Sequence, residues 1–451
     1  MAKERLLVIG GDAAGMSAAS KVAREKPETE IVVFERSPHT SYSACGMPYY
    51  IAGMVEEVES LIARTPAQFH DKYNIDARVH HDVLEIDPTQ GKLRVLNRES
   101  RTESWESYDQ LLIATGAEPF CPEMANAHAQ GIFGLSTLQS GIRVREFLDE
   151  HHPKQAVVVG GGYIGLEMAE ALVRRGMRVS LIQMGEQVME TLDPDMGALV
   201  SEALREIGVT LYLKESLQGF EAKNGRVTAV ITDQRTLPAD CAILGMGTRP
   251  NSILAAEAGI SLGVKGSIKV NARMQTDMAG IWAAGDCVES MNRVSGKPMH
   301  IALGTVANKQ GVVAGTNIAG GYATFAGVLG TAVSKICKYE VARTGLLERE
   351  LPKLGLEAVT ATIRSRTRAG YYPGAGRITV KLLAEKGSGR LLGGQIVGLE
   401  GAAKRIDILA TALYAGLRVQ DIVDLDLSYA PPFSPVWDPV QTAARQLLSQ
   451  V

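Results

Sequence analysis

The sequence predicts an α/β fold: two Rossmann-like dinucleotide-binding domains followed by a smaller α+β domain. Three observations carry this. Two buried strands each lead through a glycine turn into a helix and a second strand, at residues 6–35 and 155–183. Two short apolar strands, ending in Ala114-Thr115-Gly116 and Ala284-Gly285-Asp286, flank the second unit and return the chain to the first. No glycine-rich nucleotide turn precedes a helix in the last segment, 326–451. At 451 residues the chain exceeds one ordinary core. The expected division is 1–118 with 251–325, then 119–250, then 326–451.

In the first unit Leu6-Leu7-Val8-Ile9 reads as a buried strand and Gly10-Gly11-Asp12-Ala13-Ala14-Gly15 as the turn. A helix is expected from Met16 to about Lys26, and a strand over Ile31–Glu35. Gly10 permits the tight turn, Gly15 lets helix and strand pack closely, and a pyrophosphate rests on free helix N–H groups. Glu35 stands where an acid hydrogen-bonds the adenosine ribose. Asp12 replaces the middle glycine of G-x-G-x-x-G, so Gly11 is expected to supply the backbone freedom. The bland alternative is a βα turn with no ligand. Lys21 and Arg24 share a helix face. Alone they read as solvated charges, and a phosphate-bearing substrate would give them a second use. Residues 80–110 alternate as a small antiparallel meander.

The second unit is an intact fingerprint. Gln155–Val159 reads as a strand, Gly160-Gly161-Gly162-Tyr163-Ile164-Gly165 as the turn, Leu166–Gly176 as the helix and Arg178–Gln183 as the second strand. Gln183 holds the position of the ribose-binding acid and no arginine follows directly, so NADH and NADPH both stay open. Gly245-Met246-Gly247-Thr248-Arg249-Pro250-Asn251 closes the unit. Beyond it, Ile281–Cys287 ends in an A-G-D signature of flavin domains, with Asp286 expected to accept hydrogen bonds from the dinucleotide. His300–Thr305 is expected to open a long helix whose dipole faces the flavin pyrimidine. His300 and Cys287 are expected only to pack. The last segment shows strands at Ile378–Leu383 and Leu391–Val397, a helix near Lys404–Ala415, and aromatic patches at 369–374 and 428–437.

One stretch carries reactive chemistry: Ser41–Tyr50, S-Y-S-A-C-G-M-P-Y-Y, with Gly46 and Pro48 fixing the backbone beside Cys45. Five widely spaced cysteines do not form a secreted disulfide framework, so a reducing cytoplasm is the default. There a cysteine beside a dinucleotide unit is a catalytic candidate, against the bland reading of a buried inert thiol. A net charge of −3 gives no basic footprint for nucleic acid or membrane. No apolar run is long enough to span a bilayer, and no metal-ligand set stands out.

Over its whole length the chain resembles the two-dinucleotide flavoprotein disulfide reductases, most closely their coenzyme A disulfide reductase branch. The residues that carry this are the stretch around Cys45, I-W-A-A-G-D-C at Ile281–Cys287, the Tyr371-Tyr372 pair, and Tyr429-Ala430-Pro431-Pro432-Phe433. The resemblance implies FAD, NADH or NADPH, coenzyme A as substrate and product, and a homodimer with shared active sites. The second cysteine of the C-x-x-x-x-C relatives is missing, because Thr40 and Tyr50 stand at those distances. The branch therefore implies that Cys45 cycles through a mixed disulfide with coenzyme A, its pKa lowered by flavin and helix dipoles. It implies that Tyr371 and Tyr429 of the partner subunit act as proton or hydrogen-bond donors.

The same resemblance implies FAD contacts at Gly10, Ala13, Ala14, Gly15, Glu35 and Arg36, at Val83, Thr115 and Gly116, and at Asp286, Ala302, Leu303, Thr305 and Phe433. It places NAD(P)H at Gly160, Gly162, Tyr163, Ile164, Gly165, Gln183 and Gly247. It places coenzyme A at Ser17, Lys21, Arg24, Ser41 and Tyr73, and at Trp437, where some members carry a lysine. Related NADH peroxidases carry a histidine in the first glycine loop, where this chain has Ala13-Ala14. Reduction of coenzyme A persulfide or polysulfide and NAD(P)H oxidase activity are rival outcomes on the same scaffold. A non-catalytic FAD-binding protein is the rival of another class.

Overall fold

The computed structural model describes residues 3–451. Its first sheet is parallel and five-stranded, in the order 281–283, 110–113, 5–9, 30–34, 75–78. The strand from residues 281–283 thus pairs with chain laid down some 170 residues earlier. Strands buried on both faces read as continuous apolar runs, which is why Leu6–Ile9 and Ile31–Phe34 were legible. The helix Ala13–Glu25 turns small residues, among them Ala14, Ala18 and Ala19, into the core. They allow close packing against the helix Gly304–Ile318. Between them the chain forms the antiparallel meander 81–87, 92–97, 102–107.

The second sheet repeats the plan, in the order 210–213, 178–183, 155–159, 241–244, 132–134, all parallel. A three-stranded antiparallel sheet over 217–238 covers one side. The two crossings between the units lie side by side, as Ala117–Pro119 pairs antiparallel with Thr248–Pro250. No described helix is long and apolar enough to cross a membrane.

The helices begin earlier than their glycine patterns suggest. They start at Ala13 and Tyr163, so Gly15 and Gly165 fall in the first turns. A Cβ on Gly15 would lie 2.0 Å from the Gly10 carbonyl oxygen, and one on Gly165 would lie 1.9 Å from that of Gly160. Close helix–strand contact, not turn formation, is what these glycines serve. The helix expected from His300 starts at Gly304. His300 instead ends the strand Pro298–His300, paired with Glu289–Met291.

The last segment holds a five-stranded antiparallel sheet, in the order 332–336, 339–345, 391–398, 377–385, 358–366. The sequence reading found two of these strands. The others alternate polar residues too regularly to stand out as apolar runs. The helices Ala402–Ala415 and Pro439–Leu448 pack on this sheet. Lys381, buried on the sheet, meets Asp193 at 3.2 Å, Asp195 at 2.8 Å and Glu348 at 3.1 Å. Gln395 Nε2 also donates to Asp193, at 2.6 Å. A buried cation with several carboxylate partners ties the second nucleotide unit to the C-terminal sheet.

Candidate active site

Cys45 lies in a single 3-10 turn, Ala44–Gly46, that runs into the short helix Met47–Ile51. Three contacts fix the turn. The Ser43 N–H donates to Leu61 O at 2.7 Å, and Gly46 N–H to Ser43 O at 2.9 Å. Gly46 lies so close to Leu61 that a Cβ would stand 2.4 Å from its Cδ2. Arg145 of the helix Leu138–His151 donates from Nη1 to Tyr50 O at 2.6 Å and lies over the Tyr50 ring. Met47, Ile51 and Leu61 belong to one apolar core with Leu138 and Leu166 of the second unit and Val341 and Val397 of the C-terminal sheet. Residues from all three parts of the chain therefore set the position of the thiol.

Cys45 is open to solvent on one side. Desolvation by the remaining walls raises its thiol pKa, and Glu167, Asp286 and Asp12 raise it further in that order. The protein groups alone thus act on the thiol in the direction opposite to the one expected from flavin and helix dipoles. No second thiol takes the missing place. Thr40 is buried with its hydroxyl on Arg64 O at 3.1 Å, and Tyr50 packs on Arg145. Cys287 is wholly buried with its S–H toward Ile113 O and Ala284 O. His300 is held by Asp286 O at 2.8 Å, and burial lowers its pKa. Both only pack, as expected.

The first glycine turn is shaped for a dinucleotide. Gly11 N–H donates to Glu35 Oε2 and Ser37 N–H to Glu35 Oε1, both at 2.8 Å. Thr115 bonds Asn251 O and Gly116 holds a left-handed φ of 68°. Asp286 Oδ1 is buried with no hydrogen-bond partner. Burial pushes that carboxyl up to about 6, against the opposing Leu303 N–H. An orphaned buried acceptor beside a glycine turn fits the hydroxyl-rich chain of FAD. Ala302 and Leu303 precede the helix that Thr305 enters, Val83 is buried in the meander, and Arg36 is exposed beside Glu35. Asp12 caps the first helix without a side-chain capping bond, and its Oδ1 accepts the Tyr42 N–H at 3.2 Å. Ser41 beside it has a left-handed φ of 47°, a conformation uncommon for a serine.

The second turn repeats the first. Gly161 N–H donates to Gln183 Oε1 at 2.7 Å, as Gly11 does to Glu35. Gly162 caps the helix, Ile164 is partly buried, and Gly247 holds a φ of 93° with open space where a Cβ would stand. Tyr163 is half-buried, and desolvation raises its phenol. Sequence reasoning missed Glu167, one turn along the same helix. It is half-buried, bonded by Ser334 at 2.7 Å, and pushed up in pKa by desolvation. G-L-E after an intact glycine turn was the available signal.

The residues expected at coenzyme A sort into two groups. Lys21 is paired with Glu25 at 2.6 Å, and Ser17 donates to Asn308 Oδ1 at 2.7 Å. Tyr73 has Arg24, Arg64 and Lys72 around its ring, within 5.3–5.7 Å. Desolvation raises the Tyr73 phenol, and these cations more than reverse it. A groove of about 1090 Å³ beside them is lined by Arg24, Pro27, His70, Lys72 and Tyr73, among others. Arg64 and Lys72 were missed because they lie 40 and 48 positions after Arg24 and converge only in the fold.

Tyr371 and Tyr429 lie together at the surface of the C-terminal domain, and the Tyr429 phenol acts on that of Tyr371 so that the Tyr371 pKa is raised. Tyr371 is 78% and Phe433 76% exposed. Arg405, buried against Asp438 at 2.8 Å, donates to Thr367 O at 3.0 Å and Phe433 O at 2.9 Å, holding both aromatic loops. Trp437 lies under Arg445, 4.3 Å from ring centroid to guanidinium. That cation, distant from Trp437 in sequence terms only by one helix, was not singled out.

Two glycine-turn nucleotide folds, with a solvent-facing thiol, Cys45, on the loop tied to the first of them, define a dinucleotide-dependent redox enzyme. Residues 4–311 match the family model for pyridine nucleotide-disulphide oxidoreductases, and 331–439 match that family's dimerisation domain. The chain belongs to this family, whose members are FAD- and NAD(P)H-dependent enzymes. It is 40% identical over 446 residues to an NAD(P)H sulfur oxidoreductase (CoA-dependent) of Pyrococcus abyssi, covering 99% of this chain and 98% of the relative. It is 31% identical over 431 residues to a coenzyme A disulfide reductase of Staphylococcus epidermidis, covering 95% and 96%. Among solved structures, an NAD-dependent persulfide reductase from A. fulgidus superposes with a TM-score of 0.95 at 39% identity, over 99% of this chain and 83% of that one.

Proposed function

We propose that this chain reduces S–S bonds of coenzyme A, as the disulfide or the persulfide, with electrons from NADH or NADPH, through Cys45 alone. The carrying observation is a solvent-facing Cys45 whose C-x-x-x-x-C partner positions hold Thr40 and Tyr50, so the second sulfur must come from substrate. When bound, FAD supplies electron transfer from the pyridine nucleotide to sulfur. Gly10, Gly15, Glu35 and Asp286 hold it, and Gly160, Gly165 and Gln183 hold the nicotinamide nucleotide. The Cys45 thiolate attacks one sulfur of the substrate; that S–S bond breaks as the Cys45–sulfur bond forms. The leaving thiolate takes its proton from Tyr371 or Tyr429 of a second copy, and two electrons from the pyridine nucleotide then cleave the Cys45–sulfur bond, releasing the second thiolate and restoring the Cys45 thiolate. Arg24, Arg64 and Lys72 donate charge-assisted hydrogen bonds to the coenzyme A phosphates.

The dimerisation-domain match and the exposed aromatic loops support a homodimer in which those loops reach the partner's thiol. Free cysteines throughout support a cytoplasmic setting. The name of the A. fulgidus relative favours persulfide as a second acceptor, and that of the Pyrococcus abyssi relative favours sulfur with coenzyme A.

The test is anaerobic oxidation of NADH and NADPH by the FAD-loaded protein with coenzyme A disulfide, coenzyme A persulfide or polysulfide, beside Cys45→Ser. Turnover with any of these that Cys45→Ser abolishes supports the reading, and the fastest acceptor assigns the substrate. Turnover that survives Cys45→Ser, or no turnover with any of the three while air restores NAD(P)H oxidation, overturns it.

A further inference from the structure

Asp12 places a carboxylate where the fingerprint has a glycine. Its side chain leaves the helix N-terminus uncapped and holds the cysteine loop by the Tyr42 N–H instead. The charged and titratable groups facing it come from three other elements. Glu35 follows the strand 30–34, Asp286 follows the strand 281–283, and Tyr42 and Cys45 belong to the cysteine loop. Arg36 acts on Tyr42 from beyond Glu35. Both Glu35 oxygens are occupied by N–H groups of Gly11 and Ser37, which suits an ionised carboxylate. Asp286 Oδ1 has no partner at all. Three acids therefore face the cradle that receives a dianionic pyrophosphate. Burial raises Asp12, Glu35 and Asp286 each raise it further, and added negative charge there favours a proton on one of them.

We propose that Asp12 takes up one proton as FAD binds, so that cofactor affinity in this chain is coupled to pH. The proton comes from solvent and adds to the carboxylate oxygen not used by Tyr42. The other oxygen keeps accepting the Tyr42 N–H, so the cysteine loop stays tied to the turn in both states. No bond to the cofactor forms or breaks. Burial, with Glu35 and Asp286 adding to it, already pushes the Asp12 carboxyl up to about 6 before any phosphate arrives. The inference rests on FAD and on nothing about the sulfur acceptor, so it stands or falls apart from the proposed reaction.

The experiment is FAD titration of the full-length apoprotein by flavin fluorescence, with calorimetry in two buffers of different ionisation heat to count protons. From about pH 6 to about pH 8 the dissociation constant should rise about tenfold, with uptake approaching one proton. Asp12→Asn keeps the acceptor for Tyr42 without the charge. It should bind FAD with little pH dependence and little proton uptake. Asp12→Gly, the ordinary residue of the turn, should behave alike and serves if the asparagine variant folds poorly. A flat wild-type profile overturns the proposal, as does a slope that persists in both variants. A slope lost only in Asp286→Asn also overturns it, because the proton would then belong to the other carboxyl.

Discussion

Gln183 Oε1 accepts the Gly161 N–H at 2.7 Å, which leaves Nε2 as the free end of a buried amide beside Gly185. A group that only donates suits a ribose hydroxyl and a 2′-phosphate alike. Glu35 makes the matching bond in the first unit with a carboxylate, whose charge would repel a 2′-phosphate. Gln183→Glu should therefore lower kcat/KM for NADPH by about tenfold or more and leave NADH within about threefold. Steady-state kinetics with both nucleotides checks this, and an equal loss for both would refute it.

Glu167 is the largest charged influence raising the Cys45 thiol. A raised thiol pKa means less thiolate at neutral pH, so alkylation of the apoprotein by iodoacetamide should be slow there and speed up as pH climbs. Glu167→Gln should move that rise to lower pH. The measured quantity is the alkylation rate of Cys45 against pH, followed by peptide mass. An unshifted curve would mean that desolvation alone sets the thiol.

The cations around Tyr73 should matter for coenzyme A and not for the nicotinamide nucleotide. Arg64→Ala and Lys72→Ala should each raise the KM for coenzyme A disulfide about three- to tenfold, with the KM for NADH unchanged. Rising salt should weaken the wild type toward the variants. Parallel changes in both KM values would point to a structural effect instead.

Gly46 has no room for a side chain against Leu61. Gly46→Ala should cost about 1–3 kcal/mol by overpacking. It should lower sulfur turnover more than it lowers FAD binding, since the displaced backbone carries Cys45. Urea unfolding and a flavin titration separate the two effects.

Lys381→Met should cost about 3–5 kcal/mol, because it strips a buried Asp193 of its cation. Its partners hold the Lys381 pKa above the ordinary value against the lowering effect of desolvation. The stabilisation it gives is therefore full below the ordinary lysine pKa and is lost as pH rises through the raised one. Denaturant unfolding at neutral and at alkaline pH should show the wild type converging on the variant only under alkaline conditions.

Much of this fold was legible because buried parallel strands and glycine turns leave contiguous signals. Leu6–Ile9, Gly160–Gly165 and Cys45 each stand out within a few residues of sequence. What escaped was assembled from afar. Arg24, Arg64 and Lys72 meet around one phenol, and Arg405 ties residues 367 and 433 together. The rise in the Cys45 pKa escaped for the same reason. Its causes are Glu167, Asp286 and Asp12, on three different elements. The polar alternation of Ala332–Ile336 and Ala358–Arg366 hid two edge strands whose partners, not their own composition, define them.

The helix behind Cys45 draws its packing from all three parts of the chain, so the thiol sits at a joint. Leu138 lies on a helix packed against it, and Val341 and Val397 belong to the same apolar core, so each is a lever on where the sulfur stands. Reactivity at one atom thereby becomes a property that no single domain owns. Drift in any one part must be answered in the others, and the three are bound to change in step as lineages diverge.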